Sequence, residues 1–101
     1  MSSYVPNLEE FELNRYKIEF DRVYEIFKEG GDTKTLTEKR LAILNVALKT
    51  GRAYQNKLAD SSGRKVDSER QRVRSMMAEL TTIRTDPDLK IIPDPDLEER
   101  L

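Results

Sequence analysis

The side chains best suited to chemistry are two carboxylate pairs near the C-terminus, Asp86 with Asp88 and Asp94 with Asp96, each within an Asp-Pro-Asp-Leu repeat. Paired carboxylates are typical of calcium sites and of general acid–base catalysis. A calcium loop needs further oxygen ligands at alternate positions and a Gly at its turn, but here Pro separates the two Asp residues and apolar residues follow. We therefore expect no metal site and interpret the repeats as a recognition element for a partner protein.

The chain lacks the side chains that most often carry out catalysis. His and Cys are both absent from its 101 residues, which removes the commonest general base, the commonest transition-metal ligand and the thiolate nucleophile. The letters SSGRK at 61–65 do not form a phosphate loop, because the Gly spacing and the strand-to-helix context are missing. We expect a protein that is not an enzyme and that uses no cofactor and no small-molecule substrate.

The repeats belong to an acidic arm at 85–101. Its three Pro residues fix backbone angles, remove amide donors and favour extended geometry, and its few apolar residues cannot form a core of their own. We expect the apolar side chains to enter pockets on a partner while the Asp side chains meet Lys or Arg. The predicted partner-binding residues are Asp86, Asp88, Leu89, Ile91, Ile92, Asp94, Asp96 and Leu97.

Charge is arranged in three blocks along the chain. Residues 1–32 hold eight acids and four bases, residues 33–84 hold five acids and twelve bases, and residues 85–101 hold six acids and two bases, which gives net charges of −4, +7 and −4. Either these blocks only keep the protein hydrated, or the acidic ends of one copy dock on the basic middle of another. The second arrangement closes into a ring when the geometry allows.

The basic middle contains a predicted basic patch. If its members surround one end of the last helix, they bind phosphates in a salt-dependent way. Against this, Tyr54 is the single aromatic residue among them and the chain is acidic as a whole, with a pI of about 5.6. A contact with DNA and a contact with an acidic protein surface both stay open. The patch consists of Arg52, Lys57, Arg64, Lys65, Arg70, Arg72 and Arg74.

The first of three amphipathic helices is predicted at 8–29. Five apolar residues recur there at intervals of three and four, and Gly30 and Gly31 follow as stop signals. This row consists of Leu13, Tyr16, Phe20, Val23 and Phe27. Ile18, Tyr24 and Ile26 lie off the row, where they either pack at its edge or form a second contact face for a partner helix.

The second helix is predicted at 36–50. Thr35 and Glu38 have the spacing of a capping box at its start, and Gly51 is interpreted as its stop. The alternative is that Gly51 is an interior residue of a helix that continues to Leu58, at a cost of about 1 kcal/mol relative to Ala. The apolar row of this helix is Leu41, Leu44 and Leu48, with Ile43 and Ala47 beside it.

Residues 52–67 are the least determined by their pattern. The turn letters ADSSG and the flanking segments are compatible with a short β-hairpin. A third helix is predicted at 68–84, capped by Asp67 or Ser68. Its predicted buried row is Val73, Met76, Leu80 and Ile83, which Met77 widens. The predicted fold class is mainly α: a small three-helix domain at 1–84, with turn residues that allow a short β-hairpin between helices 2 and 3, followed by the extended C-terminal arm.

Residues 40–80 also carry three short motifs, ALKTGR at 47–52, GRKV at 63–66 and AEL at 78–80. In this order they resemble the small W-type head–tail joining proteins of lambda-like tailed phages. That family folds as two helices and a short hairpin, and forms a ring beneath the portal that completes the filled head and receives the tail. The resemblance implies a connector subunit, to which the helix at 8–29 and the acidic arm are additions.

We therefore expect a structural or adaptor subunit of a larger assembly, in its most specific form a phage head–tail connector or neck component of the virion or host cytoplasm. Its first helix and arm contact other copies in a ring, or a portal or tail protein. The alternative is a small nucleic-acid-binding protein for regulation or DNA packaging that uses the Arg-rich middle. No membrane partner is expected, because the longest apolar stretch, LAIL at 41–44, is far shorter than the roughly 20 residues of a membrane helix.

Overall fold

The computed structural model describes residues 8–95. In chain order its elements are α1 (Leu8–Glu29), β1 (Thr35–Thr37), α2 (Glu38–Ala59), α3 (Arg64–Arg84) and β2 (Lys90–Ile92). The predicted mainly α class with three helices is confirmed. Both α1 and α3 pack against α2, and a parallel two-stranded sheet lies at the start of α2.

The core forms where the apolar rows of the three helices meet. In α1, Phe20 and Phe27 are fully buried and the other three residues of the predicted row are partly buried against them. The buried residues of α3 are Val73, Met77 and Leu80. The spacing of apolar residues therefore identified the inward faces of both helices. Gly31 ends α1 in a left-handed conformation, with φ +80°, and its amide donates to Lys28 O over 3.1 Å.

Helix α2 does not stop at Gly51 but continues to Ala59, so the preferred interpretation of that Gly was wrong. Its buried residues are Leu44, Ala47, Gly51, Tyr54 and Leu58, at intervals of three and four that continue one helical face. A Cβ at position 51 would lie 2.2 Å from Met77 Sδ and 2.7 Å from Phe20 Cε1. Gly51 is therefore the point at which α1 and α3 both reach the surface of α2.

The β-hairpin allowed at 52–67 is absent from the structure described for these residues. The segment holds the last turns of α2, a short connection and the start of α3 at Arg64, because Tyr54 and Leu58 extend the buried face of α2. Arg70 closes the connection: its Nε and Nη2 atoms donate to Leu58 O over 3.0 and 2.7 Å. The predicted cap at Asp67 or Ser68 was also wrong, since α3 begins one turn earlier, after Gly63.

The start of α2 differs from the capping box predicted at Thr35 and Glu38. Thr37 is the N-cap residue, and its side chain accepts a hydrogen bond from Arg40 N over 3.1 Å. Thr35 lies instead in β1, whose central residue Leu36 is fully buried. A Thr at either position satisfies the local capping rule, and the pairing of β1 decides between them.

The C-terminal segment returns to its own chain. In β2, Lys90, Ile91 and Ile92 pair in parallel with Thr35, Leu36 and Thr37 of β1. The segment is extended over β2, as predicted, but the partner at this point is a strand about 55 residues earlier in the same chain. Strand pairing between residues so far apart produces no pattern in the local sequence. The sequence therefore indicated that the extended segment needs a partner, but not which strand that partner is.

Candidate interaction surfaces

Helix α1 has a second apolar row on the side away from the core. Phe11, Ile18 and Ile26 are 58%, 56% and 46% exposed. At about 100° per residue, Ile18 and Ile26 point within roughly 80° of each other, and the core residue Phe20 points about 180° from Phe11. We call Phe11, Ile18 and Ile26 the outer row of α1. Ile18 and Ile26 were already identified as lying off the core row, whereas Phe11 was missed although it stands seven residues before Ile18.

Tyr24, the third residue off the core row, has a different place. It is partly buried, and its hydroxyl donates to Glu79 Oε1 of α3, which also accepts at Oε2 from the Lys28 ammonium. The pKa of Tyr24 is raised to about 12, mainly by burial and to a smaller extent by the hydrogen bond to Glu79. The Lys28 ammonium lowers the pKa of the Glu79 carboxyl. This cluster ties α1 to α3, so Tyr24 belongs to the fold and not to the outer row.

The first Asp-Pro-Asp-Leu repeat forms a turn. Asp86 O accepts from Leu89 N over 3.1 Å, and Asp86 Oδ1 accepts from Asp88 N over 2.9 Å. The turn places Leu89 against the core, while Asp86 Oδ2 accepts from Lys34 Nζ over 2.8 Å. The hydrogen bond from this ammonium lowers the pKa of Asp86. Two predicted partner-binding residues, Asp86 and Leu89, are thus occupied within the chain.

The other predicted residues of the arm are more open. Asp88 is exposed, and Ile91 and Ile92 are 43% and 42% exposed. Asp94 lies at the start of α2, where its Oδ1 accepts from Lys39 N over 3.3 Å. This position suits a carboxylate, because the amides at a helix N-terminus carry partial positive charge. Asp96 and Leu97 lie outside the described residues.

The predicted basic patch is divided by the fold. Arg72 bonds Glu69 Oε1 and Oε2 over 2.8 and 2.7 Å and Asp21 Oδ1 over 2.9 Å. Tyr54 donates to the same Glu69 over 2.5 Å, so the cluster joins all three helices. The bonds from Arg72 lower the pKa of Glu69, and the bond to Glu69 raises the pKa of Arg72. The pKa of Tyr54 is raised mainly by burial and to a smaller extent by the hydrogen bond to Glu69.

Two further cations of the patch have partners inside the chain. Arg70 bonds the end of α2 and Asp67 Oδ1, the latter over 2.7 Å. Lys57 Nζ lies 3.3 Å from Glu12 Oε2 of α1, and the hydrogen bond to that carboxylate raises the pKa of Lys57. The structure therefore gives Arg70, Arg72 and Lys57 structural contacts that sequence spacing did not predict.

The other four cations of the patch are exposed, and none of them forms a hydrogen bond or ion pair with another part of residues 8–95. They are Arg52, Arg64, Lys65 and Arg74. Arg74 lines a shallow groove of about 140 Å³ between α2 and α3, together with Gln55, Leu58, Ala59 and Arg70. We call this the α2–α3 groove. Its lining combines apolar surface with two guanidinium groups and contains no acid.

A second pocket, of about 190 Å³, lies between α1 and α2 and has a mainly charged lining of Glu12, Arg15, Tyr16, Glu19 and Lys57. Among residues 8–95 there is no group of three or more acids that could hold a metal ion. None of the helices in this range combines the length and the hydrophobicity that a membrane span requires. Comparisons with protein-family models, curated proteins and solved structures found no match. The surfaces best suited to contact a partner are the outer row of α1, the C-terminal segment and the α2–α3 groove.

Proposed function

We propose that the protein is a structural or adaptor subunit of a larger assembly, and that α1 docks on a neighbouring protein. The observation that carries this proposal is the outer row of α1. Single exposed apolar residues are normal on a protein surface, but Phe11, Ile18 and Ile26 share one helix face opposite the core. Anchors spaced over several turns are the pattern by which an amphipathic helix enters an apolar groove of a partner.

The more specific form of the proposal is a head–tail connector of a tailed phage, present in the virion or in the host cytoplasm before assembly. The occupant of the outer row is then the portal or tail protein. The resemblance of residues 40–80 supports this form through the motifs at 47–52, 63–66 and 78–80. Its hairpin does not occur in the structure, so the support comes from sequence motifs and from the exposed helix face.

The test is binding of the purified protein to the purified portal or tail protein of the same source, measured by co-sedimentation. The F11S/I18S variant removes two anchors from the outer row and is expected to lose binding by about tenfold or more, because buried apolar anchors dominate interface energies. Val46 is 48% exposed on α2, so V46S is the matched control and should bind as the wild type does. Equal binding by F11S/I18S and wild type would contradict docking through α1, and no binding to either protein would contradict the connector form.

A second candidate function is nucleic-acid binding through the exposed cations of the patch. The observation in its favour is that Arg52, Arg64, Lys65 and Arg74 are exposed without acidic partners in the described chain. Phosphate contacts by these residues would make DNA retention fall steeply as salt rises. The test compares R52E/R74E with wild type in a filter-binding series. Arg70 and Arg72 are unsuitable for this test, since removing them disrupts helix contacts.

A further inference from the structure

The α2–α3 groove has the character of a site for an acidic peptide with an apolar anchor. Leu58 and Ala59 supply apolar lining, and Arg70 and Arg74 supply positive charge beside it. The Arg70 guanidinium is held in place by Leu58 O and Ser61 O, whereas Arg74 is exposed and has no partner within residues 8–95. Arg52 stands one turn before Gln55 on the same face of α2 and extends the positive charge along the groove.

The chain itself contains a peptide of complementary chemistry. Its last eight residues read DPDLEERL and hold four acids and one base, a net charge of −3. Leu97 stands directly between Asp96 and Glu98, so one apolar side chain is flanked by carboxylates. Charge complementarity of this kind selects a partner and fixes its register.

This tail cannot place Leu97 in the groove of its own chain. Asp94 is held at the start of α2 by its contact with Lys39 N, while the groove begins at Gln55. The 16 residues between Lys39 and Gln55 span about 24 Å of helix at about 1.5 Å per residue. Leu97 is only three residues beyond Asp94, a reach of about 11 Å even in fully extended chain. A Leu97 side chain in this groove must therefore come from another copy.

We propose that residues 96–101 of the C-terminal tail dock in the α2–α3 groove of a second copy, with Leu97 against Leu58 and Ala59 and its flanking carboxylates at Arg74 and Arg52. The contact joins two different surfaces, so it is heterologous and propagates head to tail into a closed ring or an open chain. The inference rests on the proposed role as an assembly subunit, for which it names the contact between copies. It does not involve the outer row of α1.

The first experiment measures binding of a fluorescently labelled peptide DPDLEERL to the full-length L97S variant, whose own tail lacks the anchor. We expect saturable binding that weakens as salt rises, since exposed charge pairs are screened. Adding R74E should weaken peptide binding by about tenfold or more, and a peptide with Ser in place of Leu97 should bind as weakly. The matched control is K49E, which removes an exposed cation of α2 six residues before Gln55, the first lining residue of the groove. This variant should bind the peptide as L97S does.

The second experiment tests the head-to-tail geometry by light scattering. L97S keeps an intact groove and R74E keeps an intact tail, so each alone should be monomeric while their mixture forms a heterodimer of twice the chain mass and nothing larger. Equal binding of the Leu97→Ser peptide, or peptide binding that R74E leaves unchanged, would overturn the proposal. So would DNA binding through Arg74 in the absence of any peptide binding. Neither experiment uses the outer row, so unchanged portal binding by F11S/I18S with peptide binding intact would refute the docking of α1 alone.

Discussion

Substituting Gly51 by Ala tests whether three helices converge at one point of α2. The added Cβ would lie 2.2 Å from Met77 Sδ and 2.7 Å from Phe20 Cε1, whereas unstrained carbon contacts lie at about 3.5–4.0 Å. Both side chains must therefore move by about 1 Å or more. The Met77 thioether can change rotamer, but the Phe20 ring is fully buried, and protein interiors are close-packed.

Two opposing terms determine the size of the effect. In a helix interior Ala is favoured over Gly by about 1 kcal/mol, while insertion of a methyl group into a packed core costs about 1–3 kcal/mol. The expected net change is a loss of about 1 kcal/mol in the free energy of unfolding. For a domain of this size a loss of 1 kcal/mol lowers the Tm by about 4–8 °C.

Urea and thermal unfolding of the wild type, G51A and a control would measure this change. The control is A42G, at an exposed position of α2, which reports helix propensity alone and should cost about 1 kcal/mol. In a double-mutant cycle, M77A should cost less in the G51A background than in the wild type, because it removes the clashing group. A G51A variant about 1 kcal/mol more stable than the wild type would refute the convergence of α1 and α3 on Gly51.

Three further predictions concern the N-cap of α2 and the partly buried polar clusters. T37A should lose about 1 kcal/mol of unfolding free energy by urea denaturation, and T35A should lose less, since only Thr37 caps α2. R72Q should lose about 1–2 kcal/mol of unfolding free energy at neutral pH. Because Arg72 lowers the pKa of Glu69, the stability from this pair is complete above the ordinary Glu pKa of about 4.3 and disappears as the pH falls through the lowered pKa of Glu69. The stabilities of R72Q and the wild type should therefore converge in acid. Tyr24, with its pKa raised to about 12, keeps a proton that the unfolded chain releases near pH 10. Stability should therefore decline as pH rises from about 10 to 12. An ultraviolet titration of Y24F should show one late-ionising tyrosine fewer than the wild type, in which the pKa of Tyr54 is also raised.

The candidate surfaces could be predicted only in part. Spacing alone separated Ile18 and Ile26 from the core row of α1, and their exposure follows from the same helical geometry. The basic patch was predicted from composition, but its members differ in what they contact. Arg72 and Arg74 are two residues apart, yet Arg72 bonds carboxylates of α1 and α3 and Arg74 lines an open groove. Alternating positions on a helix point in different directions, so adjacency in sequence does not make a shared surface.

By itself the sequence determined the mainly α class, the extent of α1, the inward faces of α1 and α3 and the absence of His and Cys chemistry. These properties depend on periodicity, stop signals and composition, which are local. The tertiary structure decided that Gly51 lies inside α2, that Thr37 and not Thr35 is the cap, and that β2 pairs with β1. Each of these choices depends on contacts between residues far apart in the chain, where a local rule is satisfied by more than one arrangement and packing selects one of them.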